Sequence, residues 1–289
     1  MIMGEGERER GQAQRPPAPE PLPSPVTDTH CHLDIARGTD RTWAGPEEAL
    51  AAAAAVNVTR VVQIGCDLPG AKWAVTAAQR FASIVAGVAL HPNEAPRLAA
   101  RRQLDDALTE IDRLAGSSDR VRAVGETGLD HFRTGPDGHP VQETSFRAHI
   151  EMARRHSKAL VIHDRDAHAD VLRILDDVPL PDRIVFHCFS GDAEMARHCA
   201  ERGWFVSFAG PVTFASANAL RLALAATPLH RVLVETDAPF LTPHPFRGKP
   251  NASYLVPLTV RAMADVLGRD LEGTCAALQR NTEAAFGPW

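Results

Sequence analysis

Eight short apolar runs, each separated from the next by a stretch of helical periodicity, constrain this chain more than any other feature. The runs are Val26–Thr29, Arg60–Ile64, Ile84–Ala89, Val121–Val124, Leu160–Ile162, Ile184–Phe186, Trp204–Phe208 and Val232–Val234. Helical patterns lie between and after them, at Pro46–Val56, Ala71–Phe81, Arg101–Ala115, Gln142–His156, Asp166–Leu175, Ala193–Arg202, Ser216–Ala225, Tyr254–Leu267 and Leu271–Ala285. Strands that alternate with helices form a parallel sheet, because each helix carries the chain back along the sheet before the next strand begins. Eight such strands close into a barrel. The span from Val26 to Trp289 also matches the ~250 residues typical of a (β/α)8 TIM barrel. The fold class is therefore read as α/β, with one barrel domain over 26–289. Residues 1–25 include Arg15-Pro-Pro-Ala-Pro-Glu-Pro-Leu-Pro-Ser-Pro25, which is too rich in proline for a helix or a central strand. That stretch is expected to be a disordered N-terminal extension.

Bulk properties narrow the functional classes. A hydrophobic content of 44% with 23% charged residues is ordinary for a soluble enzyme. No apolar stretch approaches the ~20 residues of a membrane span, and Met1–Pro25 has no apolar core of a secretory signal. The expectation is a cytoplasmic protein with no membrane contact and no obligate protein partner. Five cysteines without a C-x-x-C pair indicate neither a disulfide framework nor a zinc knuckle, so they are expected as small buried hydrophobes. A formal charge of −5 argues against a broad basic surface that coats nucleic acid. It leaves room for a compact phosphate-ester site, where divalent cations supply the positive charge locally.

The polar residues that follow the apolar runs carry the chemistry. His30 and His32 follow the first run, and alternation in an extended chain turns both to one face, where they can grip one ion. Glu126, His163, His187 and Asp237 follow runs four, five, six and eight. All six are expected just past the C-terminal ends of strands, where barrel enzymes assemble their active sites. Histidines placed for packing alone have no reason to keep that register. The six could complete a two-metal hydrolytic centre. Glu235 shares a face with Asp237 one layer deeper; either could ligate, and Asp237 is preferred because it lies nearer the mouth. His91, after run three, is expected at the mouth as a substrate contact. Alternation turns Cys31 and Cys188 away from the ligand face. No P-loop or G-x-G-x-x-G is present, so nucleotide-cofactor chemistry has no support.

Seven stretches together resemble the TatD family of metal-dependent deoxyribonucleases, within the amidohydrolase-like barrels. They are Asp28-Thr-His-Cys-His-Leu-Asp34, Gly87-Val-Ala-Leu-His-Pro92, Gly125-Glu-Thr-Gly-Leu-Asp130, Val161-Ile-His-Asp-Arg165, Phe186-His-Cys-Phe-Ser-Gly191, Glu235-Thr-Asp-Ala-Pro-Phe-Leu-Thr-Pro243 and Arg247-Gly-Lys-Pro-Asn251. The resemblance implies a barrel hydrolase in which His30, His32 and Asp237 hold one divalent ion and His163 and His187 hold a second. Glu126 bridges the two, in place of the carbamylated lysine of related barrels. The chain departs from the family pattern at Ala215, where a basic residue often follows Thr-Phe, and at Asn251-Ala-Ser253, where Asn-Glu-Pro is frequent. Both departures lie outside the ligand set and bear on substrate grip.

The expected chemistry follows from charge. Two cations sharing a water acidify it and neutralise phosphate oxygens in the transition state. Glu126 and Asp237 are the expected catalytic carboxylates, with Asp237 as general base. His91, Arg165 and Arg247 are expected to bind substrate, through phosphate contacts or protonation of the leaving group. Histidine and carboxylate donors suit zinc, manganese or iron, and a carboxylate bridge tolerates magnesium, so two divalent ions are expected with their identity open. The expected reaction is phosphodiester hydrolysis of DNA, from strand ends. The alternative keeps the metals and changes the bond to a carboxylic ester, such as a D-aminoacyl-tRNA, or to a small amide or lactone. A non-catalytic scaffold is disfavoured by the intact ligand set.

Overall fold

The structure, a computed structural model, describes residues 15–35 and 45–289. Eight strands form one parallel sheet in sequential order: β1 (Val26–Cys31), β2 (Val58–Gly65), β3 (Ile84–Val88), β4 (Val121–Asp130), β5 (Ala159–Arg165), β6 (Ile184–Phe186), β7 (Phe205–Phe208) and β8 (Val232–Val234). The seam between β8 and β1 is joined at the mouth by backbone bonds, with Asp237 N–H donating to His30 O (2.9 Å) and His32 N–H to Ala238 O (2.8 Å). Below these, side chains join the two edges: the Thr29 hydroxyl donates to Val234 O, while Asp28 accepts from both the backbone N–H and the hydroxyl of Thr236. The expected (β/α)8 TIM barrel is the observed fold.

Among the described residues ten helices surround or cap the strands: α1 (Pro46–Ala54), α2 (Leu68–Arg80), α3 (Glu94–Ala100), α4 (Leu104–Ala115), α5 (His139–Arg155), α6 (His168–Asp177), α7 (Ala193–Glu201), α8 (Asn218–Ala226), α9 (Val256–Leu267) and α10 (Leu271–Phe286). Asp67, Asp192 and Asp270 cap the N-termini of α2, α7 and α10 by accepting first-turn N–H groups that have no partner inside the helix. The buried positions of α4, namely Leu104, Ala107, Ile111, Leu114 and Ala115, follow helical spacing and face the sheet.

Alternation along the strands separates two cores. Val61, Ile84, Leu160 and Ile162 belong to the layer between sheet and helices. Val62, Ile64, Val85, Ala123, Ala159, Val161, Val185, Phe205 and Leu233 fill the barrel lumen, with Phe286 packed against them. The inward parity of Ala159 and Val161 carries on to His163, that of Val185 to His187, and that of Leu233 to Glu235 and Asp237. One alternation thus builds a hydrophobic plug and places the expected ligands above it.

Two expectations are corrected. Residues 15–25 are packed on the barrel and are not a disordered extension. Leu22 is 1% exposed, its N–H donates to Val56 O and its carbonyl accepts from the Asn57 side chain. Tyr254 donates its hydroxyl to Pro16 O, and Arg261 donates to Pro21 O. Residues 1–14 of the expected extension lie outside the described residues. The ligands, moreover, do not all follow strand ends: His30, Glu126 and His163 lie within β1, β4 and β5. Apolar-run counting stopped at these polar residues, whereas backbone pairing continues through them.

No helix among the described residues is long and apolar enough to cross a membrane.

Candidate metal centre

Glu126 stands at the middle of the lumen mouth. A register shift between Val124 and Thr127 interrupts the β4–β5 pairing around it, and its carboxylate meets side chains from four other strands or strand ends. Oε1 faces His30 Nε2 (3.7 Å) and His32 Nε2 (3.6 Å). Oε2 faces His163 Nδ1 (3.1 Å) and His187 Nε2 (2.5 Å). Asp237 Oδ1 joins the first group, 3.2 Å from His32 Nε2 and 3.8 Å from His30 Nε2. All six expected ligands therefore converge, in two groups on the two oxygens of one carboxylate.

Supporting bonds fix which ring nitrogens point inward. His32 Nδ1 donates to Ile64 O (2.9 Å), so Nε2 is the nitrogen turned toward Asp237 (3.2 Å). Glu235 is fully buried, with Oε1 accepting from Cys188 N–H (2.6 Å) and lying 3.4 Å from His187 Nδ1. Glu235 is thus the carboxylate behind His187, and Asp237 sits with His30 and His32. On the far side of His163, Nε2 lies 3.4 Å from Asp130 Oδ2. Asp130 is held in turn by Asn93 Nδ2 (2.9 Å) and Arg133 N–H (2.8 Å). A carboxylate behind a ligating imidazole orients the ring and raises its basicity.

The titration behaviour suits a cation-binding cluster. Burial resists ionisation of Glu126, but His187, His163 and His30 outweigh it and hold the carboxyl well below its ordinary value. Burial likewise opposes a charged His32, yet Asp237 and Glu126 raise it to about 9. His187 is raised well above its ordinary value, burial being overcome by Glu126 and Glu235. His30 moves the other way, lowered by burial and by its neighbour His187, whose ring stacks on it at 3.9 Å. Asp237 is likewise held below its ordinary value, burial being overcome by His32 and then His30 and His187. Both ring nitrogens of His30 are buried without a hydrogen-bond partner, a costly state for an imidazole. A divalent cation on Nε2 would satisfy the nitrogen that faces Glu126 and Asp237, so the residues present fit a metal.

A model of the TatD-related DNase family matches residues 27–287. The chain belongs to this family. A TatD relative from Mycobacterium tuberculosis, an uncharacterized metal-dependent hydrolase, is 43% identical over 266 residues, covering 90% of this chain and 97% of that protein. YabD of Bacillus subtilis, also an uncharacterized metal-dependent hydrolase, is 34% identical, covering 90% and 98%. The crystal structure of YjjV, a TatD homologue from Escherichia coli, superposes with a TM-score of 0.81 at 25% identity, covering 91% of this chain and 98% of that one.

In this TatD barrel the expected substrate contacts are spread around the mouth. The His91 ring meets His163 edge-on at 4.5 Å, and its Nδ1 accepts from Asn93 N–H. Burial lowers its pKa to about 3, keeping the ring neutral. The Arg165 guanidinium lies 4.0 Å from the ring centre of Phe132, which is 62% exposed. Arg247 is exposed and stacks over Phe214 at 5.3 Å. Neither arginine belongs to the cluster around Glu126.

Two neighbours of the ligands escaped sequence reasoning. Asp130 lies within a quoted motif, but its pairing with His163 depends on how β4 and β5 align. Cys66 was read as a buried hydrophobe, yet its thiol donates to Glu126 Oε1 (3.1 Å). The signal that could have found it is alternation: Val62 and Ile64 face the lumen, and Cys66 is the next residue of that parity.

Proposed function

We propose that this chain is a two-metal phosphodiesterase that hydrolyses DNA, trimming it from strand ends. The observation that carries the reading is the division of four histidines between the two oxygens of Glu126, with Asp237 against His30 and His32. His30, His32 and Asp237 would hold one ion and His163 and His187 the other, with Glu126 between the two groups. When bound, divalent ions at these positions offset charge on the phosphate oxygens and acidify the attacking water. Asp237, which keeps 15% side-chain exposure at the mouth, accepts the proton of that water. Glu126 holds the two ligand groups in fixed relation. The neutral His91 ring can donate a hydrogen bond toward the phosphate or leaving group without adding charge. Arg165 and Arg247 bind flanking phosphates.

Exposed aromatics favour a nucleic-acid substrate over a small ester or amide. Phe132 (62% exposed) and Phe240 (38% exposed) stand at the mouth, the second with its ring 6.2 Å from His32. Bases stack on such rings whatever their sequence. The test incubates metal-stripped protein, reloaded with zinc, manganese or magnesium, with end-labelled DNA and separately with D-aminoacyl-tRNA. DNA shortening is expected, at least ~10³-fold slower in Glu126→Ala. Equal rates in wild type and variant, or faster turnover of the aminoacyl ester than of DNA, overturn the proposal.

A further inference from the structure

We infer that the end of the barrel opposite the metal centre is a phosphate-binding face that holds single-stranded DNA away from the site of cleavage. The inference rests on the nucleic-acid reading above and adds a second contact surface to it.

All eight strands run parallel, so residues at their starts share one end of the barrel, remote from Glu126. Basic residues stand at five of those starts: Arg60 in β2, Arg120 and Arg122 at β4, Lys158 before β5, Arg183 before β6 and Arg231 before β8. Arg60, Arg183 and Arg231 keep the lumen parity of Val62, Val185 and Leu233, which turns them under the hydrophobic plug. A chain of net charge −5 thus gathers six cations at one end. Asp119, Asp182 and Glu283 lie beside them, and Glu283 pairs with Arg60 at 3.0 Å. Among the described residues, Arg120, Arg122, Lys158 and Arg183 have no carboxylate partner.

Geometry keeps these charges together. Arg122 donates to Pro288 O (2.8 Å) and Arg183 to Ser157 O (2.6 Å). A Cβ on Gly287 would stand 3.4 Å from Arg122 Nη1 and 3.6 Å from Arg183 Nη1, so the two guanidiniums flank one point of the backbone. A cleft of about 60 Å³ opens beside Arg183, walled also by Arg154, Ser157, Lys158 and Asp182. At ~15 Å³ per water that space takes about four oxygens, as many as one phosphate group carries. Burial and then Arg122 lower both Lys158 and Arg183, and burial followed by Arg122 and Arg60 lowers Arg120. Carbonyl bonds fix the cations in place and leave their mutual repulsion standing, which a polyanion relieves.

The occupant that fits is a nucleic-acid backbone. Its phosphates recur along the strand, and each can neutralise one cation. An aromatic ring is present too: Arg60 lies over the half-buried Trp289 at 5.4 Å, and bases stack on such rings. A membrane surface fits less well, because the exposed large apolar side chains among the described residues lie elsewhere. Ile35, Phe132 and Phe240 follow the ends of strands, and Leu222 is in the middle of α8.

The test follows the fluorescence anisotropy of a labelled oligothymidylate with the metal-stripped full-length protein, in chelator and across a salt series. Wild type is expected to bind. The double variant Lys158→Gln, Arg183→Gln is expected to bind at least ~10-fold more weakly, with the slope of log affinity against log salt smaller by about 1.4, two contacts at ~0.7 each. Equal affinity and slope in the two proteins overturn the inference and leave the metal centre and its hydrolysis standing. Absence of binding by wild type overturns it too. Binding as expected, in a protein that leaves DNA intact once reloaded with metal, supports this face and overturns the hydrolytic reading instead. Tighter binding of wild type to phosphatidylserine–phosphatidylcholine vesicles than to the oligothymidylate, lost in the double variant, overturns the choice of DNA. If the double variant does not fold by circular dichroism, hydrogen exchange of wild type decides. Protection by the oligothymidylate over 157–160 and 181–184 supports the inference, and protection at the mouth alone overturns it.

Discussion

Replacing Glu235 by glutamine keeps the side-chain volume and removes one buried negative charge behind a single ligand. Glu235 is fully buried, accepts Cys188 N–H at 2.6 Å and stands 3.4 Å from His187 Nδ1. It touches neither His30, His32 nor Asp237 in the contacts that define the other ion's group. The amide oxygen of glutamine can still accept from Cys188, so the turn after β6 keeps its anchor. What is lost is the charge that makes His187 a stronger donor and fixes its ring. Loss of such a supporting carboxylate weakens metal binding about 10–100-fold, equivalent to about 1.4–2.7 kcal/mol. The weakening should fall on one of two binding steps, the one served by His163 and His187. Calorimetric titration of zinc into metal-stripped wild type and Glu235→Gln separates the steps, with circular dichroism confirming the fold. Two dissociation constants within about 3-fold of wild type, or equal weakening of both steps, refute the reasoning.

His149 is fully buried, its Nε2 accepting from Leu90 N–H and its Nδ1 donating to Ser145 O, and burial lowers its pKa from 6.5 to about 4. A depressed folded-state pKa gives stability that is complete above pH 6.5 and lost as pH falls toward 4. Urea titrations should show about 3 kcal/mol lost over that window, and His149→Gln should remove most of this pH dependence relative to wild type. Gly128 has φ +141°, and a Cβ there would lie 2.1 Å from His163 O. Gly128→Ala should cost at least about 2 kcal/mol by denaturant unfolding and should weaken zinc binding by displacing His163. Leu22→Ala should destabilise by about 2–4 kcal/mol, whereas a disordered Leu22 predicts no change in the urea midpoint.

The barrel was legible because its signal repeats. Eight apolar runs became eight strands in order, and alternation alone put His163, His187 and Asp237 on the lumen side. Features that depend on distant contacts were not legible. Composition read Arg15–Pro25 as disordered, yet Leu22 is held by Val56 and Asn57 and Pro16 by Tyr254, partners that no local pattern reveals. Helix α3 went unread because it is seven residues long with Pro96 inside it. Arg102, at φ +57°, then breaks the run that was taken as one helix from Arg101. The six candidate ligands stand out in the sequence by residue type directly after apolar runs. Asp130 and Cys66 do not, since aspartate and cysteine have ordinary structural uses and only their positions beside His163 and Glu126 single them out.

The central claim is that Glu126 separates two ion sites by its two carboxylate oxygens. Anomalous diffraction from crystals soaked in zinc or manganese tests it directly. Two peaks roughly 3.5–4 Å apart, one among His30, His32 and Asp237 and one beside His163 and His187, with Glu126 reaching both, are the predicted result. A single fully occupied ion, or peaks that leave Glu126 unligated, contradicts the account.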